Sequence, residues 1–537
     1  MPIRLFTIVL RIHLWHELGS EGELVRMVND SQRLARCLRP GLMFLAVLMA
    51  GYVMVWVVEC IRRPHALEYR EGAIALLTDL QLSGRNPYLL EDRPAIVSIY
   101  GIGYQWVMRP VATLVGGSLL THRLVSCTFI LLNCGLLAWA LRKDQAGWTL
   151  VVTAVAFWFV ELGQGLSIVA RPDAFGMFLF LGSLVIPYCL GFTTATLIVS
   201  AGLSILGFYT KAYFLLGLPL MSLFLFLHHG KLKGVLFFTG AMAIFAATVP
   251  LINLAYPAYF SETFFISRNA ATRSWNHLQA VGGGYLRQHI VLILVLGIAF
   301  VTGLIAWWRS RRDQWRSWIS LLPLRAPLLA SPGNLPALAL AVSSVVMVLM
   351  LGLHQGNGIL YYHQIISPFL LWLVFRFAAR VESRQGVALL LIMIHGVLYC
   401  RELRPLPADD RKEWLKLEQV VTASTNAFLP PPLAWVARQQ GKPVNDGGQT
   451  EFSIRAYKGN FTKIGSLYEK RISDYWAGII SGQIRRDFDT MLVTPGLSPF
   501  VSFRMLNEHY VFQETLTMPM VFDSYPVDLW RPKGRTP

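Results

Sequence analysis

Ser98-Ile99-Tyr100-Gly101-Ile102-Gly103-Tyr104-Gln105-Trp106, the middle of an apolar run over 96–118, decides how this chain is threaded. By hydropathy the run is one of roughly twelve segments that could cross a bilayer. The charges around it disagree. Arg26, Arg33, Arg36 and Arg39 ask for an N-terminus inside the cell. If 96–118 then crosses, Arg142-Lys143, Lys231/Lys233 and Arg309-Ser310-Arg311-Arg312 all fall outside. Basic loops belong on the cytoplasmic side. Glycines and aromatic rings suit an interfacial or re-entrant segment. Read that way, the run leaves Arg142-Lys143, Lys231/Lys233, the Arg309–Arg316 cluster and Arg380/Arg384 inside.

Spans are then expected near 41–60, 121–141, 147–164, 174–190, 193–209, 212–228, 234–255, 290–308, 336–353, 362–378 and 385–400. An odd count places residues 401–537 outside. The expected fold is mainly α: a polytopic transmembrane domain over 41–400, with a small C-terminal α/β domain over 401–537. In that tail Leu415–Val421 reads as helix, and Thr490–Val493 and Tyr510–Phe512 read as strands. Residues 1–40 read as a cytoplasmic amphipathic segment on the membrane surface, with a disordered basic tail as the alternative.

Composition agrees with lipid as the solvent. Of 537 residues 54% are hydrophobic and 15% are charged, against about a quarter charged in soluble domains. Leu42–Val58, Trp148–Val160, Phe175–Leu190, Ile290–Trp308 and Leu335–Leu353 carry no charge. They are continuous rather than alternating, which favours helices over a barrel. The net charge of +17 sits between apolar runs, so membrane lipids rather than nucleic acid are the expected partner. The six cysteines lie in or beside apolar segments without metal-ligand spacing and read as small apolar residues.

This threading gathers the unusual polar residues on the outer face. The first outer loop carries Glu68-Tyr69-Arg70-Glu71-Gly72, then Gly84-Arg85-Asn86-Pro87-Tyr88, then Glu91-Asp92-Arg93-Pro94. Arg171-Pro172-Asp173 opens a later span and Tyr209-Thr210-Lys211 closes another. A loop over 256–289 holds Arg268, Arg273, His277 and Arg287, and a further one holds His354, Asn357, Tyr361, Tyr362 and His363. Ionisable groups at a membrane edge are costly unless paired or functional. Carboxylates and cations around one cavity suit acid/base chemistry on an anionic substrate.

The order Glu71-Gly72, Gly84-x-x-Pro87-Tyr88, Arg93-Pro94, then an aromatic segment ending in Gly116-Gly117, resembles the first outer loop of the GT-C glycosyltransferases. Those include the bacterial aminoarabinose transferases and the protein O-mannosyltransferases. Arg171-Pro172-Asp173 resembles their second acidic position, and Thr210-Lys211 recurs at a comparable place. The resemblance covers about residues 40–400 and lies in order and spacing, since each motif is short. It departs in one respect: Arg70-Glu71 stands where relatives often carry Asp-Glu.

The resemblance implies a transferase using a polyprenyl-phosphate sugar donor and an envelope lipid, glycan or protein acceptor. It implies a bacterial inner membrane with a periplasmic site. Glu71, then Glu68, is the expected general base, with Asp173 orienting the acceptor, acting as second base or holding an ion. Arg93, Lys211 and Arg171 are expected at the donor phosphate. Arg70, Tyr88, Tyr361, Tyr362 and His363 are expected to contact substrate. An oxygen-ligated divalent ion, Mg or Mn, is compatible with these carboxylates but not required. Three rivals stand beside this reading: a lipid-linked-sugar flippase or transporter, a polysaccharide polymerase or ligase, and a non-catalytic assembly partner.

Overall fold

The computed structural model of the chain describes residues 21–89, 100–257, 259, 260, 263, 273–312, 334–354, 358–380, 385–446, 487–495, 503–522 and 524–534. Residues 1–20 therefore lie outside the described residues. The first element, α1 (Glu21–Arg62), is one helix that passes through Pro40. Its candidate membrane-spanning part runs over Gln32–Arg62 and so includes the boundary expected at 40.

The segment after α1 contains a helix that hydropathy did not announce. It is α2 (Glu71–Leu82), whose residues are nearly all buried. Its 12 residues rise only ~18 Å, too short to cross the roughly 30 Å of hydrocarbon. The segment that decides the threading forms α3 (Gly103–Val115), 13 residues with Pro110 inside it. At ~20 Å it is also shorter than a span. Residues 90–99, including the start of the quoted run, lie outside the described residues.

The bundle continues with α4 (Leu119–Lys143), α5 (Trp148–Gly163), α6 (Asp173–Leu190) and α7 (Thr194–Thr210). A short 3-10 turn over Ala212–Leu216 leads into α8 (Gly217–His228), followed by α9 (Lys231–Ala255). Then come α10 (Trp275–Arg312), α11 (Leu335–Val346), the short α12 (Leu360–Ile365), α13 (Ser367–Arg380) and α14 (Gln385–Tyr399). Among the described residues six helices are long and apolar enough to cross a membrane, and four shorter apolar helices accompany them. The expected loop over 256–289 is helical from Trp275, since α10 extends beyond its apolar part.

Polar contacts tie the helices at both ends. At one end Asp144 accepts from Tyr188 Oη and Trp372 Nε1, both at 2.7 Å, and from Arg380 at 3.2 Å. Arg39 donates to Gln385 at 2.8 Å, and Lys233 to the carbonyl of Phe192 at 2.7 Å. Arg39, Lys233 and Arg380 stand at this end. All six cysteines are free thiols.

The tail sits on the opposite end. It contains α15 (Arg411–Ala423), β1 (Ala427–Leu429), α16 (Pro431–Gln439), β2 (Asn445–Asp446), β3 (Thr490–Val493), α17 (Phe503–His509), β4 (Tyr510–Met518) and β5 (Tyr525–Pro532). The sheet order is β2-β1-β3-β5-β4. β1 runs parallel to both its neighbours, and β5 is antiparallel to β3 and β4.

This tail shares a core with the segment that follows α1. Leu76, Leu77 and Leu80 of α2 pack with Trp414, Leu417, Leu433 and Ala434. That explains α2: an apolar helix too short for lipid is buried under protein instead. Gly72 shows how close the approach is, since a Cβ there would lie 2.1 Å from the carbonyl oxygen of Pro431. Further ties are Arg63 to Asp410 at 2.5 Å, Arg438 to Asp79 at 2.6 Å, and His65 stacked on Trp414 at 4.7 Å.

Candidate active site

Helix ends bring the site together at the tail-bearing end of the bundle. Asp173 is the first residue of α6, Arg171 precedes it, and Lys211 follows the last residue of α7. Asp173 is fully buried. Its Oδ1 accepts from Lys211 Nζ at 2.5 Å and from Gln364 Nε2 at 3.0 Å, and its Oδ2 accepts from Arg171 Nε at 3.0 Å. Arg171 also reaches Glu68, with Nη1 at 3.5 Å from Oε1. Burial works against the Arg171 charge, but Tyr100, Asp173 and Glu68 together raise its pKa above the usual value.

Aromatic rings enclose the ammonium. Lys211 Nζ stands 5.3 Å from the ring centroids of Tyr100 and Tyr361 and 5.9 Å from that of Tyr213. A cation within about 6 Å of a ring is held by the ring quadrupole. Arg70 joins from the start of α2, with Nη1 at 3.4 Å from the Tyr100 hydroxyl. Tyr213 donates to Gln364 at 2.8 Å. Tyr100 is placed by backbone: the N–H of Gly101 donates to the carbonyl of Thr210 at 3.3 Å. A Cβ on Gly101 would lie 2.0 Å from the carbonyl oxygen of Tyr209, so only glycine allows this approach.

Glu68 differs from the other carboxylates. Its side chain is 13% exposed. Oε2 accepts the backbone N–H of Arg70 at 2.9 Å, and among the described residues Oε1 meets only the longer contact from Arg171.

Glu71 is corrected. It is completely buried and every lone-pair direction is used. Oε1 accepts from Arg123 Nε at 3.0 Å and from the Ala170 N–H at 2.6 Å. Oε2 accepts from Arg123 Nη2 at 2.7 Å and from the Leu67 N–H at 2.6 Å. A carboxylate offers about four such positions, so Glu71 has none left for an acceptor hydroxyl. It is an anchor. Arg123, in turn, holds the loop before α2 through the carbonyls of Arg63 at 2.5 Å and His65 at 2.6 Å. Arg123 was not among the expected residues; its signal is an arginine within the apolar α4, where an ionisable group requires a partner.

Three expected substrate contacts lie elsewhere. Tyr88 is buried against Tyr256 and Tyr259, and its hydroxyl donates to the Tyr100 carbonyl, so it supports the site from behind. Tyr362 stacks on Tyr285 at 5.2 Å. His363 faces Glu161 and His289. Arg93, Arg268 and Asn357 lie outside the described residues. Arg273 pairs as an isolated bridge with His354, and Arg287 donates to Gly283, so neither joins the Asp173 group. At Asp173 an oxygen-ligated Mg or Mn would meet like charge, since the carboxylate already pairs with two cations.

The architecture is thus a polytopic helical membrane protein with an appended mixed α/β domain, carrying a buried cluster of paired charges where the two meet. No family model matches the chain, and no curated protein does. The chain is similar to the crystal structure of ArnT from Cupriavidus metallidurans bound to undecaprenyl phosphate, at 12% identity and a TM-score of 0.49. That match covers 90% of this chain and 97% of the other. It is also similar to the Archaeoglobus fulgidus oligosaccharyltransferase tethered with an acceptor peptide, at 9% identity and a TM-score of 0.42, covering 77% and 68%. Both are GT-C fold glycosyltransferases, the superfamily that the sequence pattern resembles. At these identities and TM-scores the likeness is one of overall helix arrangement and assigns no residue a role.

Proposed function

We propose that the chain is a membrane glycosyltransferase. It moves a sugar from a polyprenyl-phosphate donor to an envelope acceptor, a lipid, glycan or protein, on the non-cytoplasmic face. The observation that carries this is the pair of buried cations, Lys211 and Arg171, converging on one small region with Glu68 at its edge. Two cations at a membrane edge suit a lipid phosphate, the arginine as a fork and the lysine as a point charge. They stand where negative charge develops on a departing phosphate. Asp173 holds them in place before the donor arrives. Glu68, the carboxylate with unused lone pairs, accepts the proton of the attacking hydroxyl. Tyr100, Tyr213 and Tyr361 exclude water and offer faces to the sugar. The tail over α2 closes the site from the aqueous side.

The test uses purified protein in lipid nanodiscs, given radiolabelled polyprenyl-phosphate sugars and extracted envelope lipids, glycans and proteins. The expected result is label on one acceptor class with release of polyprenyl phosphate. In proteoliposomes, movement of the donor between leaflets without transfer would contradict this reading and support a flippase.

A further inference from the structure

Three helices bring a second polar group together inside the bundle. Glu161 lies in the last turn of α5, His289 in α10 and His363 in α12. All three are buried, and one ligand atom from each lies within 4.8 Å of the other two. His289 Nδ1 is 3.1 Å from the backbone carbonyl of Tyr285. A carbonyl only accepts, so Nδ1 carries hydrogen and a neutral ring leaves Nε2 bare. That bare nitrogen stands 2.9 Å from Glu161 Oε1, itself an acceptor. A second ring proton would satisfy this one contact. It would still leave Glu161 Oε2 and His363 Nε2 buried with no hydrogen-bond partner among the described residues. Unpartnered buried polar atoms are expensive.

We propose that Glu161, His289 and His363 form a binding site for a divalent transition metal of the zinc class. A metal ion takes lone pairs from all three side chains at once. Two imidazoles with one carboxylate suit zinc, and they disfavour the hard cations that require oxygen. Ligand atoms around tetrahedral zinc stand about 3.3 Å apart, given bonds of about 2.0 Å. The present spacing needs only a modest side-chain adjustment to reach that. The bond from His289 Nδ1 to the Tyr285 carbonyl is the outer contact that fixes the ligating tautomer. The metal would fasten α5, α10 and α12 to one another. In α12, Gln364 follows His363 and donates to Asp173, and Tyr361 flanks Lys211. The metal would therefore steady the helix that carries two contacts of the paired-charge cluster.

Metal content tests this independently of any transferase activity. The full chain, purified with a histidine-free affinity tag, is exposed to Zn2+, washed and measured by mass spectrometry of the elements. The expected content is about one zinc per chain, with visible d–d bands on replacement by Co2+. His363→Gln and Glu161→Gln are each expected to lower metal affinity by about tenfold or more. His228→Gln, at the far end of the bundle, should keep the metal. Wild-type protein without zinc or cobalt bands would overturn the proposal. So would zinc held equally by His363→Gln, which decides the matter even where Glu161→Gln does not fold.

Discussion

Lys211 Nζ lies 2.5 Å from Asp173 Oδ1, joining the end of α7 to the start of α6 across 38 residues of chain. The same carboxylate holds Arg171 through its other oxygen. With both cations buried, removing the carboxylate leaves two charges facing each other out of water. Asp173→Asn should therefore cost about 3–5 kcal/mol, as breaking a buried pair does. Asp173→Asn with Lys211→Met should recover part of that loss. Thermal unfolding in nanodiscs measures both.

Glu71 and Glu68 should separate cleanly. Glu71→Gln breaks the fourfold anchor to Arg123, Leu67 and Ala170, and about 3 kcal/mol or more of stability should go with it. Arg123→Met should cost a similar amount, and the double variant less than the sum, because the two act as one unit. Glu68→Gln should leave the unfolding midpoint nearly unchanged, since among the described residues Glu68 has one short hydrogen bond and one longer contact to Arg171.

Gly101→Ala should disturb the site without touching a charge. Its Cβ would collide with the Tyr209 carbonyl. Overpacking of this kind costs about 1–3 kcal/mol. Tyr100 would move away from Lys211 and Arg70, and affinity for polyprenyl phosphate should fall in a direct binding titration.

The tail contact should weaken in acid. Burial first, and then Arg123 and Arg63, push the His65 imidazole down to about 4. The ring stacks on Trp414 and lies 3.4 Å from Glu418. An unfolded histidine takes its proton near 6.5. Between about 6.5 and about 4 the unfolded chain therefore binds the proton and the folded chain does not, so stability is lost as pH falls through this window. Unfolding midpoints across that range should drop, and His65→Phe should flatten the slope.

The uncharged runs made the helical membrane class legible, because lipid leaves the backbone few choices. Thr490–Val493 was legible as a strand from its apolar, turn-bounded pattern. Asp173, Arg171 and Lys211 could be placed together because each stands at a helix end on the same side of the bundle. What Glu71 does was not legible. Its partners lie 52 and 99 residues away, and a carboxylate in a loop reads alike whether saturated or open. The burial of α2 was hidden for the same reason, since it depends on the tail beyond residue 400. His363 follows Tyr361 and Tyr362 in sequence, but one short helical turn points Tyr361 and His363 at two different groups.

The initial rate of sugar transfer by Glu68→Gln, set against that of the wild type at saturating donor, tests the central claim most directly. A positioned base contributes about 10²–10⁴-fold, so the account predicts a rate loss of that order with donor binding and folding retained. Transfer by Glu68→Gln at the wild-type rate would contradict it.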